Sequence, residues 1–145
     1  MTDRMDPYGG YNFRVEIDGI TRAGFKSCSG MEISQNAGTY REGTDRSLIM
    51  RKIPGLVSVS DITLARGVTR DSELWQWRRK IASGVVDRRN MSIVLVDDTG
   101  NDMIRWNLRN CWPTKWTGPS LDATTDELAI ETLVIAHEGL EVDTW

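Results

Sequence analysis

Phe13, Val15 and Ile17 alternate with Asn12, Arg14, Glu16 and Asp18, the period of two that sets one face of a strand in a core and the other in water. Residues 11–18 are therefore predicted as a strand, closed by a turn at Gly19. A second extended run covers 23–34, and a third covers 56–66 with Ile62 and Leu64 on one face. Residues 91–96 form another strand. Asp97-Asp98-Thr99-Gly100-Asn101 then supplies turn chemistry for a hairpin into 103–109, where Ile104, Trp106 and Leu108 share a face. The last long strand is predicted over 127–137.

Only residues 71–83 carry the helical period. Leu74, Trp77 and Ile81 form one stripe opposite Ser72, Glu73, Gln76, Arg79 and Lys80. Thr69 or Asp71 is expected to cap the first turn, and Gly84 to take the left-handed position that ends it. Strands, one helix and strands again predict a mainly β chain, a small barrel or sandwich with the helix packed on it.

Three features point to a surface that needs a partner. The last strand is apolar on both faces, Leu128, Ile130, Val134 and Ala136 on one and Ala129, Leu133 and Ile135 on the other. An antiparallel strand usually keeps one face for water, so either the domain's own second layer or a neighbouring subunit covers it. Tryptophan is heavily used, with six residues. Trp75 lies on the flank of the helix stripe, half covered by a core that takes Trp77. Trp112 and Trp116, either side of Pro113, resemble a strand leaving a sheet at its edge. Large aromatics concentrate at interface centres, so Trp75, Trp112, Trp116, Leu133 and Ile135 are candidate subunit contacts. Finally, 41–54 is long for a loop in a compact domain and carries Leu48, Ile49, Met50 and Ile53 between Arg41, Arg46, Arg51 and Lys52. It reads as an arm that orders against another subunit, or as a lid over the end of the domain's own barrel.

Composition narrows the class. At 145 residues and net charge −3, with 39% hydrophobic residues, the chain fits one folded domain spanning 1–145. No stretch has the length of a membrane span, and the N-terminal residues lack a secretory apolar core, so synthesis in the cytoplasm without membrane anchoring is expected. Cys28 and Cys111 have no metal-ligand spacing and read as buried small hydrophobes. His137 is the only histidine. No nucleophile elbow, phosphate loop or zinc pattern accompanies it, so neither an enzyme nor a cofactor site is expected. The basic group Arg78, Arg79, Lys80, Arg88 and Arg89 lacks the aromatic interleaving and positive net charge of a nucleic-acid surface.

The stretches DPYGGYNFRVEIDGI (6–20), GFKSCSGMEI (24–33), ITLARGVTRDSELWQWRR (62–79), RWNLRNCWPTKWTGP (105–119) and ELAIETLVIAHEGLE (127–141) resemble the tail-tube family of contractile phages and extracellular contractile injection systems. The resemblance implies a two-sheet β-barrel with one helix, closing as a hexameric ring whose sheets join across subunits. It implies that the 41–54 arm contacts the next ring and that the stacked tube sits inside a contractile sheath, with baseplate, spike and cap proteins at its ends and cargo in its bore. Glu32, Ser34, Asn36, Ser58 and Ser60, at alternate positions of the strands flanking the arm, are candidate lumen residues. Arg79, Lys80, Arg88 and Arg89 are candidate sheath-facing residues. A tube-initiator subunit beside the spike and a non-polymerising binding module are the rival readings.

Overall fold

The structure, a computed structural model, describes residues 6–18 and 24–145. The turn expected at Gly19 and the beginning of the run at 23 lie outside the described residues. In chain order the elements are β1 (Phe13–Ile17), β2 (Ser27–Ser29), β3 (Ile33–Tyr40), β4 (Arg51–Val59), β5 (Ile62–Gly67), α1 (Glu73–Ala82), β6 (Arg89–Val96), β7 (Asp102–Thr117), β8 (Ile130–Ala136) and β9 (Leu140–Thr144).

Strand β7 organises the molecule. Its first part pairs with β6 on one side, and its second part pairs with β8 on the other. Between them Asn110 takes a left-handed φ of 52°, a conformation asparagine tolerates better than most residues, and the strand passes from one layer to the next. The path β1-β6-β7-β8-β5-β2 is antiparallel throughout, and β9 adds to β7. The two layers face each other over one core, Val15, Ile17, Met91, Ile93 and Leu108 against Ile62, Leu64, Leu133 and Ile135, with Leu74 and Trp77 of α1 set among them.

The expected barrel is not closed. Among the described residues β1 and β2 end the path and do not pair with each other. Strand β2 is only three residues long, and Gly30 turns the chain away directly after it at φ 99°. A separate two-stranded sheet, β3 with β4, stands beside the seven-stranded one.

The helix follows its pattern, with Leu74 and Trp77 buried. Ser72 occupies the N-cap without a side-chain cap bond. Asp71 accepts instead from the Glu73 amide at 3.0 Å. Gly84 ends the helix at φ 93°, its amide donating to the Ile81 carbonyl at 3.1 Å. Several boundaries differ from expectation, and the last predicted strand, β8, begins at Ile130 and not at 127, which leaves Leu128 outside it and exposed. The run over 23–34 breaks at Gly30 into β2 and β3, and the run over 56–66 breaks at Ser60 and Asp61 into β4 and β5. Trp112 and Trp116 do not leave the sheet, because β7 continues to Thr117 and sets them opposite Ala136 and Leu133. Beyond the corner at 137–139 the alternation of Leu140 and Val142 with Glu141 and Asp143 forms β9, a strand that the sequence reading did not include.

Candidate assembly surfaces

The arm is larger than the 41–54 loop. It is the whole β3–β4 hairpin, in which Arg51–Pro54 are strand residues and 41–50 form the tip. Neither strand pairs with any other among the described residues. The hairpin carries Ile33, Tyr40, Leu48, Ile49, Met50, Ile53, Leu56 and Val57 in the open, with Leu48 88% and Ile49 80% exposed. An isolated two-stranded hairpin is marginal in water, and this one leaves its apolar side chains about half or more exposed.

The tip has internal order. Arg41 donates to the carbonyls of Ser47 at 2.9 Å and Asp45 at 2.8 Å, and Arg51 pairs with Asp45 at 2.8 Å. These bonds fold the loop back so that Leu48, Ile49 and Met50 form its outer surface, while Arg46 and Lys52 stay exposed. The root is equally specific. The Ser60 amide donates to the Glu32 carbonyl at 3.3 Å, and its hydroxyl to the Gly30 carbonyl at 2.5 Å. A Cβ at Gly30 would collide with the carbonyl oxygen of Asp61, so the chains entering and leaving the arm touch backbone to backbone.

The second surface runs between α1 and the end of β7. Trp75 and Trp116 meet with ring centroids 4.8 Å apart and planes at 60°. Arg78, Arg79, Thr114 and Lys115 line the groove around them. Trp75 stays 44% exposed, the half cover its place on the helix flank predicts. Below the groove Trp116 Nε1 donates to Glu131 at 3.0 Å, and Glu131 is clamped by Arg66 at 2.6 Å.

The model of the T4-like virus tail tube protein gp19 family matches residues 9–141. The chain belongs to this family. Among solved structures it is similar to a chain in the sheath-tube complex of PVC, an extracellular contractile injection system, in the extended state. That likeness has 30% identity over 96% of this chain and 93% of the other, with a TM-score of 0.85. The chain is likewise similar to one in the anti-feeding prophage tube terminating cap, at 28% identity over 100% and 96% of the two chains with a TM-score of 0.89. A third likeness is to the PVC sheath/tube terminator, at 30% identity over 97% and 99% with a TM-score of 0.86. Hcp1 from Flavobacterium johnsoniae, 13% identical over 92% of this chain and 95% of that one, shares the fold at a TM-score of 0.56. No curated protein sequence matches the chain.

Within this tail-tube fold the expected site residues separate. Leu133 and Ile135 are 1% and 0% exposed, so the chain's own core covers them and they offer no surface to a neighbour. The opposite face of β8, with Thr132 and Val134, is half-buried. Ser34 and Ser58 are direct cross-strand partners, hydroxyl oxygens 2.8 Å apart, on the arm itself. Asn36 occupies the register shift of that hairpin, and Glu32 and Ser60 stand at its root.

The basic candidates divide as well. Lys80 and Arg89 both reach Asp87, at 3.3 and 2.9 Å, and Arg89 lies 5.0 Å over the Trp77 ring. Arg89 first, then Lys80, hold the Asp87 carboxyl below the usual range against a desolvation that raises it. Arg88 is 3.9 Å from Glu138. By contrast Arg78, Arg79 and Lys115 pair with no carboxylate among the described residues. Arg78 and Lys115 were outside the sheath-facing set, and what distinguishes them is the lack of an acidic neighbour in space, which spacing along the chain does not carry.

Proposed function

We propose that this chain is the repeated subunit of the inner tube of a contractile injection system or phage tail. Six copies close a ring through their β edges, and rings stack into a hollow tube inside a contractile sheath, capped and seated by terminator and baseplate-spike proteins. Cargo occupies the bore. The chain acts as a structural component, not an enzyme, made in the cytoplasm and assembled into a phage-tail-like particle.

The observation that carries this reading is the β3–β4 arm. Its length, its exposed Leu48, Ile49 and Met50, and its lack of any other strand partner among the described residues make it a projecting element that only a second copy in the next ring would bury. Arg41, Arg51 and Asp45 shape its tip, and Arg46 and Lys52 steer it. The polar row Glu32, Ser34, Asn36, Ser58 and Ser60 suits a wetted bore. Trp75, Trp112 and Trp116 suit the ring contact. Lys80, Arg88 and Arg89 suit an outer surface that releases a sheath, their charges partly offset by Asp87 and Glu138. Arg79, unpaired beside the two tryptophans, belongs to a different surface.

Negative-stain electron microscopy of the purified chain tests ring, stack and bore together. Deleting Thr44–Met50 is expected to leave rings intact and to abolish stacking; filaments unchanged in that variant remove the arm from the mechanism. The likeness to terminator structures favours a second reading, a subunit at the end of the tube. Such a subunit yields single rings in the same experiment.

A further inference from the structure

Among the described residues one flank of β7 and one of its partner β9 pair with no strand, and they face opposite ways. Strand β6 accompanies β7 only as far as Cys111, which pairs with Arg89. From Trp112 to Thr117 β7 runs on with β8 alone, so its flank on the β6 side is open. Strand β9 lies on the β8 side: the Glu138 amide donates to the Arg109 carbonyl at 3.0 Å and the Arg109 amide to Gly139 at 3.3 Å, carrying the ladder around the corner from β8 into β9. The outer flank of β9 pairs with no strand among the described residues.

The chemistry of the two flanks is opposite too. Beside the open flank of β7 lie Arg78, Arg79 and Lys115, with no carboxylate to meet them, around Trp75 and Trp116. Along β9 the side-chain carboxylates of the exposed Glu141 and Asp143 meet no hydrogen-bond or ion-pair partner among the described residues, and Val142 between them is 47% exposed. An unpaired strand edge is a template for another strand. A contact between two different patches on opposite sides of one subunit is head-to-tail, the kind that closes into a ring.

We propose that β9 of one copy lies along the groove between α1 and the open flank of β7 in a second copy, with Glu141 and Asp143 meeting Arg78, Arg79 and Lys115. This rests on the ring reading above and names the surfaces that form it. Main-chain bonds and burial of Trp75 and Val142 hold the contact, while the charges choose the partner and the register. Pro113 has no amide hydrogen to give, so the main-chain bonds of the contact skip that position and run along its neighbours in β7. The groove is thereby committed to a second copy of this chain and not to an acidic segment of another protein.

Charge exchange tests it on the full-length chain. The reversed groove, Arg78→Glu with Arg79→Glu and Lys115→Glu, and the reversed strand, Glu141→Lys with Asp143→Lys, are each expected to raise the concentration needed for rings by about tenfold or more. The chain carrying both reversals is expected to recover most of that loss. Ring mass is read by light scattering, and unchanged melting verifies that each variant is folded. Pairing Lys115→Cys with Asp143→Cys should give a disulfide-linked ladder up to the ring size under oxidation. Rings indifferent to either reversal, or not restored by the combination, overturn the proposal and leave the groove to another protein. A wild-type chain that stays monomeric at every concentration overturns the ring reading itself.

Discussion

The Nε2 atom of His137 lies 2.8 Å from the carbonyl oxygen of Ser60, the residue at which the arm rejoins the body. Its Nδ1 faces the Gly139 carbonyl at 3.1 Å, so the ring ties the arm root to the corner between β8 and β9. His137 is 8% exposed, and orphaning a buried carbonyl costs about 1–3 kcal/mol. His137→Ala is expected to lower Tm by roughly 4–8 °C, and to speed exchange of the Ser60 amide bonded to Glu32. His137→Gln, whose amide still donates, is expected to recover part of both. A melting curve for the alanine variant that overlays the wild type would remove the tie.

A buried ionic cluster joins β5, β8 and the start of α1. Arg66 is 3% exposed and Glu131 6%. The guanidinium meets Glu131 at 2.6 Å and the Asp71 carbonyl oxygen at 2.9 Å, and Glu131 also accepts from Trp116. Removing one partner strands a charge in the core, so Arg66→Ala is expected to cost about 3–5 kcal/mol in urea unfolding. Replacing both, Arg66→Met with Glu131→Leu, is expected to restore part of that stability because the buried Glu131 charge is removed with its partner, while the Asp71 carboxylate that Arg66 also meets at 3.4 Å is 20% exposed and keeps contact with water. A double variant no more stable than the single would contradict the stranded-charge account.

What the sequence made legible is local. Leu74, Trp77 and Ile81 placed α1, Gly84 placed its end, and Asp97 placed the β6–β7 turn, where its carboxylate accepts from the amides of Thr99 and Asn101 at 2.9 and 2.8 Å. Membership of the tail-tube family was legible from motifs. Long-range outcomes were not. Pro113 reads as a stop, yet it sits in an edge segment of β7 that leaves its missing amide unneeded. The arm strands β3 and β4 have no buried face, so no alternation marks them, and only their mutual pairing makes them strands. Lys80 and Arg88 look as free as Arg79 along the chain, and the folded positions of Asp87 and Glu138 decide otherwise.

Both cysteines are thiols set to stay inert. Burial pushes Cys28 up to about 11 and, as the largest cause, Cys111 up to about 12. The thiolate is the reactive form, so at pH 8 a disulfide reagent is expected to label the native chain at least about a hundredfold more slowly than the unfolded chain. Labelling followed by absorbance, with and without denaturant, measures this. Cys111 is buried and Cys28 only partly so, against the expectation that both are buried, and rapid native labelling would show that the partial cover of Cys28 does not protect its thiol.

On the outer face of the β1–β6–β7 layer, Val94 stands in register between Arg14 and Arg105 and is 0% exposed. The long arginine stems cover it. Their heads form a lattice: Arg14 reaches Glu16 and Asp102 at 2.9 Å each, and Arg105 reaches Glu16 at 2.8 Å. Arg105 first, and Arg14 after it, hold the Glu16 carboxyl below its ordinary 4.5, and Arg14 holds Asp102 below 3.8. A carboxyl depressed by folding contributes stability that is complete above its unfolded value and lost as the pH falls through its folded value. The window therefore lies below about pH 4.5 for Glu16. Its side chain is 45% exposed, so solvent screening limits these pairs to about 0.5–1 kcal/mol. Glu16→Gln is expected to melt a few degrees below the wild type at pH 7 and to approach it as the pH falls below 4.5, and high salt at pH 7 is expected to narrow the gap in the same direction. A difference that persists undiminished as the pH falls would trace the stability to packing over Val94 instead of to the ion pairs.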